Sequence, residues 1–333
     1  MITTLALALT LFGGQSGSLS VKSVGVAEGL RPLAFAAAPT GSKFAATMED
    51  DTVRIIDAKT RETVRVLKGL VQPAYAVAWS ADGKRIATGD ESARVILWDV
   101  ASGKQLRTFR DHQRGIEAVA FNEAGTLLVS TGKDDAVCVY SLTSGKKLRT
   151  ILGHGVNLYG ALFIGKTSNL LMGTLGKGAS IYSVEGQELV PLGGHGGQGA
   201  LEAAMNPAQT LIVSAGKDGD ATVWSAKSKK KLNSLHGHAD WVVHVIFSPN
   251  GRYVATSSVD GTVRVWDPYS FRQVVGLQNQ CRVASPLCFT TDGRYLITVN
   301  GSDFLQYNAL TPPQPAGKQA AAKTHRRHRR HRD

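Results

Sequence analysis

Several stretches of this 333-residue sequence carry residue types that could do chemistry. Residues 160–167 read GALFIGKT, a match to the phosphate-loop pattern, and Gly194, Gly196 and Gly199 in GGHGGQG match GxGxxG. Ser, His and Asp also recur together, as nucleophilic hydrolases require. A phosphate loop holds its anion on backbone amides where a strand gives way to a helix at the Lys-Thr. Here Ala161 to Ile164 alternate as a strand, and the following SNLLMGTL reads as a second strand. Nucleotide binding is therefore not expected. GGHGGQG has no βαβ unit around it and reads as a turn. His236 and His238 are two apart, and no Cys/His/Asp cluster has ligand spacing, so neither a metal nor a cofactor is expected. Cys138, Cys281 and Cys288 are too few for a disulfide framework. An extended VASPL between the last two would hold them beyond the roughly 7 Å that a disulfide tolerates.

The elements that position these residues follow a period. VRIID, VILWD, VCVYS, ASIYS, ATVWS, VRVWD and FLQYN align, with penultimate residues Ile56, Trp98, Tyr140, Tyr182, Trp224, Trp266 and Tyr307. The steps are five of 42 and a last one of 41. A second series, Phe35, Trp79, Phe121, Phe163, Met205, Phe247 and Phe289, starts with a step of 44 and continues in steps of 42. Each unit holds four short apolar or alternating runs divided by turn residues; in the sixth these are WVVHVIFS, RYVATSS, TVRVWD and RQVVGL.

Four strands at this period, Trp-Asp closing the third and Gly-His before the first, resemble the WD40 repeat. The resemblance covers about residues 20–310. It implies an all-β, seven-bladed propeller with four antiparallel strands per blade. The last blade would be closed by the N-terminal segment, removing an unpaired edge. It further implies buried structural tetrads of His, Ser/Thr, Asp and Trp: His195, Ser214, Asp218 and Trp224; His238, Thr256, Asp260 and Trp266; and, with Tyr for Trp, His112, Ser130, Asp134 and Tyr140. The Ser-His-Asp groupings are then blade supports, and no catalytic residue is expected. Gly176 and Gly301 stand where the fourth and seventh units should have Asp. The inward strands (AVAW, AVAF, ALF, AAM) read as apolar, without an acid–base pair.

Propellers of this family commonly dock partners on the face bearing the turns between the second and third strands of each unit (b–c turns) and the loops from the fourth strand to the first strand of the next unit (d–a loops). On that face the grid places Glu49 and Glu91 in one sector and Lys133, Lys177 and Lys217 in the next, with Arg114, Glu117, Tyr159, Trp241 and Arg282 in the d–a loops. Aromatic and Arg anchors among charges suit protein recognition.

Both ends lie outside the repeat. Residues 1–18 begin with an apolar run, Ile2 to Phe12, and offer Ser16-Gly17-Ser18 as a small-residue cleavage site, although no Lys or Arg precedes the run. This points to export to a periplasm or the extracellular space; an uncleaved start would leave the chain cytoplasmic. The domain expectation is a signal peptide or disordered start at 1–18, a propeller at 19–311 and a disordered basic tail at 312–333. Half of the formal charge of +12 sits in the last 18 residues. There Lys323, Arg326, Arg327, Arg329, Arg330 and Arg332 offer a polyanion contact. Mean hydropathy is near zero, and no apolar run is long enough for an integral span. The sequence thus predicts a monomeric, non-enzymatic scaffold for a protein partner. The alternative is a polyanion- or cell-envelope-binding propeller that acts through its tail.

Overall fold

The computed structural model describes residues 19–27, 29, 31–152, 158–165, 167–174, 178–278, 286–302 and 304–311. Its strands form seven separate four-stranded antiparallel sheets. Six sheets are consecutive meanders; blade 6, for example, runs Val242–Phe247 (strand a), Val254–Ser258 (b), Val263–Asp267 (c) and Arg272–Leu277 (d). The a strands of neighbouring blades lie against one another, so they line the axis and the d strands form the circumference.

Blade 7 takes strands a to c from Cys288–Phe289, Tyr295–Val299 and Leu305–Thr311, and its d strand from Ser20–Ala27. The two ends of the propeller thus pair with each other, Ser20 opposite Thr311 and Ala27 opposite Leu305. The ring closes with no unpaired edge between its first and last units.

Alternation along each strand sends side chains into the two flanking blade interfaces, and that is where the core lies. One cluster joins Val53, Ile55 and Leu67 of blade 1 to Ile86, Ile96 and Trp98 of blade 2. Another joins Val263, Val265 and Leu277 of blade 6 to Leu19, Val21 and Leu296 of blade 7. Each fully buried side chain of this size contributes about 1.5–3 kcal/mol.

The period of 42 is unbroken, which corrects two alignments made on sequence. Ala37 pairs with Phe44 as Trp79 pairs with Ile86, so Ala37 and not Phe35 holds the first position of the second series. Asn308 pairs with Leu296 as Trp266 pairs with Val254, so Asn308 and not Tyr307 holds the Trp position of blade 7. Its side chain does the tryptophan's work: Nδ2 donates to Thr298 Oγ1 at 3.0 Å. On the corrected grid Ser302, not Gly301, stands where blades 1, 3, 5 and 6 have Asp50, Asp134, Asp218 and Asp260. The b–c turns also share one left-handed position, held by Asp51, Ala93, Asp135, Gly219 and Gly261 at φ between 58° and 82°.

The stretch GALFIGKT folds as the end of strand a of blade 4 (Leu158–Phe163) followed by a turn into strand b (Leu170–Thr174). Thr167 closes that turn, its N–H and Oγ1 both donating to Ile164 O. No helix begins there to receive a phosphate. Among the described residues no helix is long and apolar enough to cross a membrane.

Candidate interaction face

The hydroxyls and imidazoles of the Ser-His-Asp groupings lie inside the blades, while their carboxylates sit at the b–c turns, Asp218 exposed and Asp134 and Asp260 half-buried rather than buried as expected. In blade 5, Trp224 Nε1 donates to Ser214 Oγ at 3.0 Å, His195 Nε2 is 2.8 Å from the same oxygen, and His195 Nδ1 is 2.9 Å from Asp218 Oδ1. Blade 6 repeats this with Trp266 donating to Thr256 Oγ1 at 2.8 Å, His238 Nε2 2.8 Å from it, and His238 Nδ1 3.0 Å from Asp260 Oδ2. Each hydroxyl is wholly buried and engaged on both sides, so no substrate carbonyl could reach it.

Blade 3 departs from this arrangement. His112 bridges Ser130 (2.7 Å) and Asp134 (2.9 Å), yet the Tyr140 hydroxyl is buried without a hydrogen bond. Tyr140 fills the tryptophan site by packing, its ring centroid 4.2 Å from that of Phe109, and does not close the network. Blade 2 holds an unanticipated variant: Trp98 Nε1 donates to Thr88 Oγ1 at 2.9 Å, while Asp90, fully buried, accepts Arg94 Nε at 2.8 Å in place of a histidine.

The charges respond to these differences. Burial alone would raise Asp260, but the Ala239 and Thr262 N–H groups, the Thr262 hydroxyl and His238 together hold it down at about 2. Burial pushes His238 below the usual histidine range, with Arg264 adding to the effect and Asp260 opposing it. Burial also opposes a charge on His112, but there the neighbouring Cys138 sulfur and Asp134 turn the balance upward.

A family model described as WD domain, G-beta repeat matches residues 61–99, 103–141 and 229–267. With seven four-stranded blades on one unbroken period, the assignment follows. The chain carries WD40 repeats. No curated protein matches it significantly.

The ends of this WD40 propeller's blades gather residues from different units. Lys133 Nζ is 2.7 Å from Glu91 Oε2, one full period away, and 5.5 Å from the Tyr75 ring centroid. Glu117 lies beside this pair; burial raises its carboxyl, Glu91 adds to the rise, and Lys133 opposes it. Lys133 therefore belongs to the acidic sector and does not open a basic one. Lys217 stacks over the Trp241 ring at 3.9 Å, and Trp241 remains exposed. Glu49 Oε1 accepts the Arg31 N–H at 3.1 Å, and Arg114 is exposed in the loop before strand a of blade 3. Sequence reasoning missed Tyr75, which sits one period before Glu117. Lys177, Arg282, Cys281, residues 1–18 and the tail cations Lys323 to Arg332 lie outside the described residues, as does the Tyr159 side chain.

The axis also differs from expectation, because it does carry an acid–base pair. Glu202 and His244 occupy one grid position on the a strands of blades 5 and 6, with Oε2 3.2 Å from Nδ1. The same oxygen accepts the Val245 N–H at 2.9 Å. The equivalent residues of blades 1 to 4, Ala34, Ala76, Ala118 and Gly160, are small, so the inner surface changes character where blades 5 and 6 meet. The carboxylate satisfies an inner-edge amide of the neighbouring strand, which makes the pair a strap between blades. Among the described residues no group of three or more His, Cys, Asp or Glu could hold a metal ion.

Proposed function

We propose that this WD40 propeller is a non-enzymatic scaffold that docks a protein partner on the face carrying the b–c turns and d–a loops. The observation that carries the reading is the gathering of Tyr75, Glu91, Glu117 and Lys133 from two blades, with exposed Trp241 and half-buried Lys217 stacked on the same face. Aromatic anchors stiffened by a fixed charge lose little entropy on binding, and a half-buried carboxylate beside them supplies specificity. The Ser-His-Asp groups are committed to hydrogen bonds within their blades, and the Glu202–His244 pair is committed to holding two blades together. The family tendency points the same way, since WD40 propellers are typically scaffolds.

Affinity capture from native cells, compared between the wild-type chain and Tyr75→Ala/Trp241→Ala, tests the reading. A protein enriched by the wild type should fall at least about tenfold with the variant, the loss expected from two hot-spot side chains. Equal capture would refute the face assignment.

A further inference from the structure

The circumference carries charge of the opposite kind. The d strands of blades 1 to 3, Thr63–Lys68, Gln105–Phe109 and Lys146–Ile151, contain no Asp or Glu. Arg65, Arg107 and Arg149 stand one period apart on these three strands, all exposed, with Lys68, Arg110 and Lys146 exposed nearby. Lysines on an edge strand would serve only to keep other strands away. Arginine at one repeated position asks for more, because its planar fork matches paired anionic oxygens. The guanidinium of Arg107 is also held across the gap to the next blade, Nη1 donating to Gly145 O at 2.9 Å. Arg65 approaches Gly103 of the next blade, whose Cβ site would be 3.7 Å from its Nη1. At the corresponding position of blade 4 the residue is Pro191, which blunts an edge without charge and ends the series.

We propose that the outer edges of blades 1 to 3 form a cationic arc that binds a flexible anionic polysaccharide. The arc is convex and spans three blades, so a chain that bends can follow it while a flat bilayer can touch only part of it. The exposed apolar residues on these strands are Val64, Val66, Leu106 and Leu148, none of them aromatic. They offer no ring on which a nucleic-acid base could stack. Carboxylate and sulfate groups along a sugar polymer need only the arginine forks and the surrounding field. The surface lies away from the blade face proposed for a protein partner and does not depend on that reading.

The test uses the full chain with its tail cations (Lys323, Arg326, Arg327, Arg329, Arg330 and Arg332) changed to Gln, so that the tail does not contribute. Binding of a heparin oligosaccharide is measured by calorimetry across a salt series, beside poly(dT) of matched charge and vesicles containing phosphatidylglycerol. Adding Arg65→Gln, Arg107→Gln and Arg149→Gln should lower heparin affinity about tenfold or more and flatten the salt dependence by about three charges. Arg149→Gln alone, at a side chain with no hydrogen bond to the next blade among the described residues, should produce part of the loss even if the triple variant folds poorly. Unchanged heparin binding in both variants would overturn the proposal. So would poly(dT) or vesicle binding that is tighter than heparin binding and equally sensitive to the arginines.

Discussion

Blades 3 and 6 are built on one grid and filled differently. In blade 6 the indole of Trp266 closes a chain of hydrogen bonds through Thr256 and His238 to Asp260. In blade 3 the chain stops at Ser130, because Tyr140 leaves its hydroxyl unbonded. The neighbours compensate in volume: Tyr140 packs on Phe109, whereas Trp266 sits with the smaller Leu235, one repeat position in two blades. The residue beside the histidine differs too, Cys138 in blade 3 and Arg264 in blade 6, and the two imidazoles are displaced in opposite directions. A repeat therefore conserves geometry more strictly than bonding.

The largest test of this contrast removes the central hydroxyl. Thr256→Val strands both Trp266 Nε1 and His238 Nε2, and should cost about 3 kcal/mol in urea unfolding; Ser130→Ala strands only His112 Nε2 and should cost about 1–2 kcal/mol. Next, Tyr140→Trp should destabilise by about 2 kcal/mol through overpacking against Phe109. Combined with Phe109→Leu it should recover that loss, because the pair then copies blade 6. Equal costs for single and double variants would mean the two sites are not equivalent in packing.

Acid should separate the blades further. Asp260, held at about 2 against an ordinary 3.8, contributes stability that is present above pH 3.8 and lost as pH falls toward 2. That contribution is about 1–2 kcal/mol. Asp260→Asn should flatten the acid limb of the stability curve more than Asp134→Asn does.

The smallest effect concerns sign. His112 has a raised folded value, so its contribution is full below pH 6.5 and fades as pH rises through that folded value. His238 is lowered, so its contribution is full above pH 6.5 and is lost as pH falls through its lowered folded value. Acidification from pH 7.5 to 5.5 should widen the stability gap between wild type and His112→Gln, and narrow the gap for His238→Gln. Gaps that move together would remove the distinction between Cys138 and Arg264.

The fold was legible because periodicity survives substitution. Turn residues and apolar alternation recur every 42 positions even where Trp becomes Tyr, Ile or Asn. The two alignment errors share a cause: an aromatic two residues before Ala37, and another beside Asn308, outweighed the spacing. Backbone pairing, which does not depend on side-chain size, restored it. The face was only partly legible. Glu91 with Lys133, and Glu202 with His244, are each separated by one period, and equal grid positions in adjacent blades are neighbours in space. That signal was in the sequence. The stacking of Lys217 on Trp241 was not, because it depends on how two loops of different length approach each other.

Conspicuous chemistry builds the blades, while the proposed recognition uses the residues in which the copies differ. Hydroxyl-radical footprinting of the propeller with its captured protein partner tests this most directly. Protection is expected at Tyr75, Lys133 and Trp241, and none at Ser214, Thr256 or the d strands of blades 1 to 3. Protection confined to those outer strands, with the face unchanged, would contradict it.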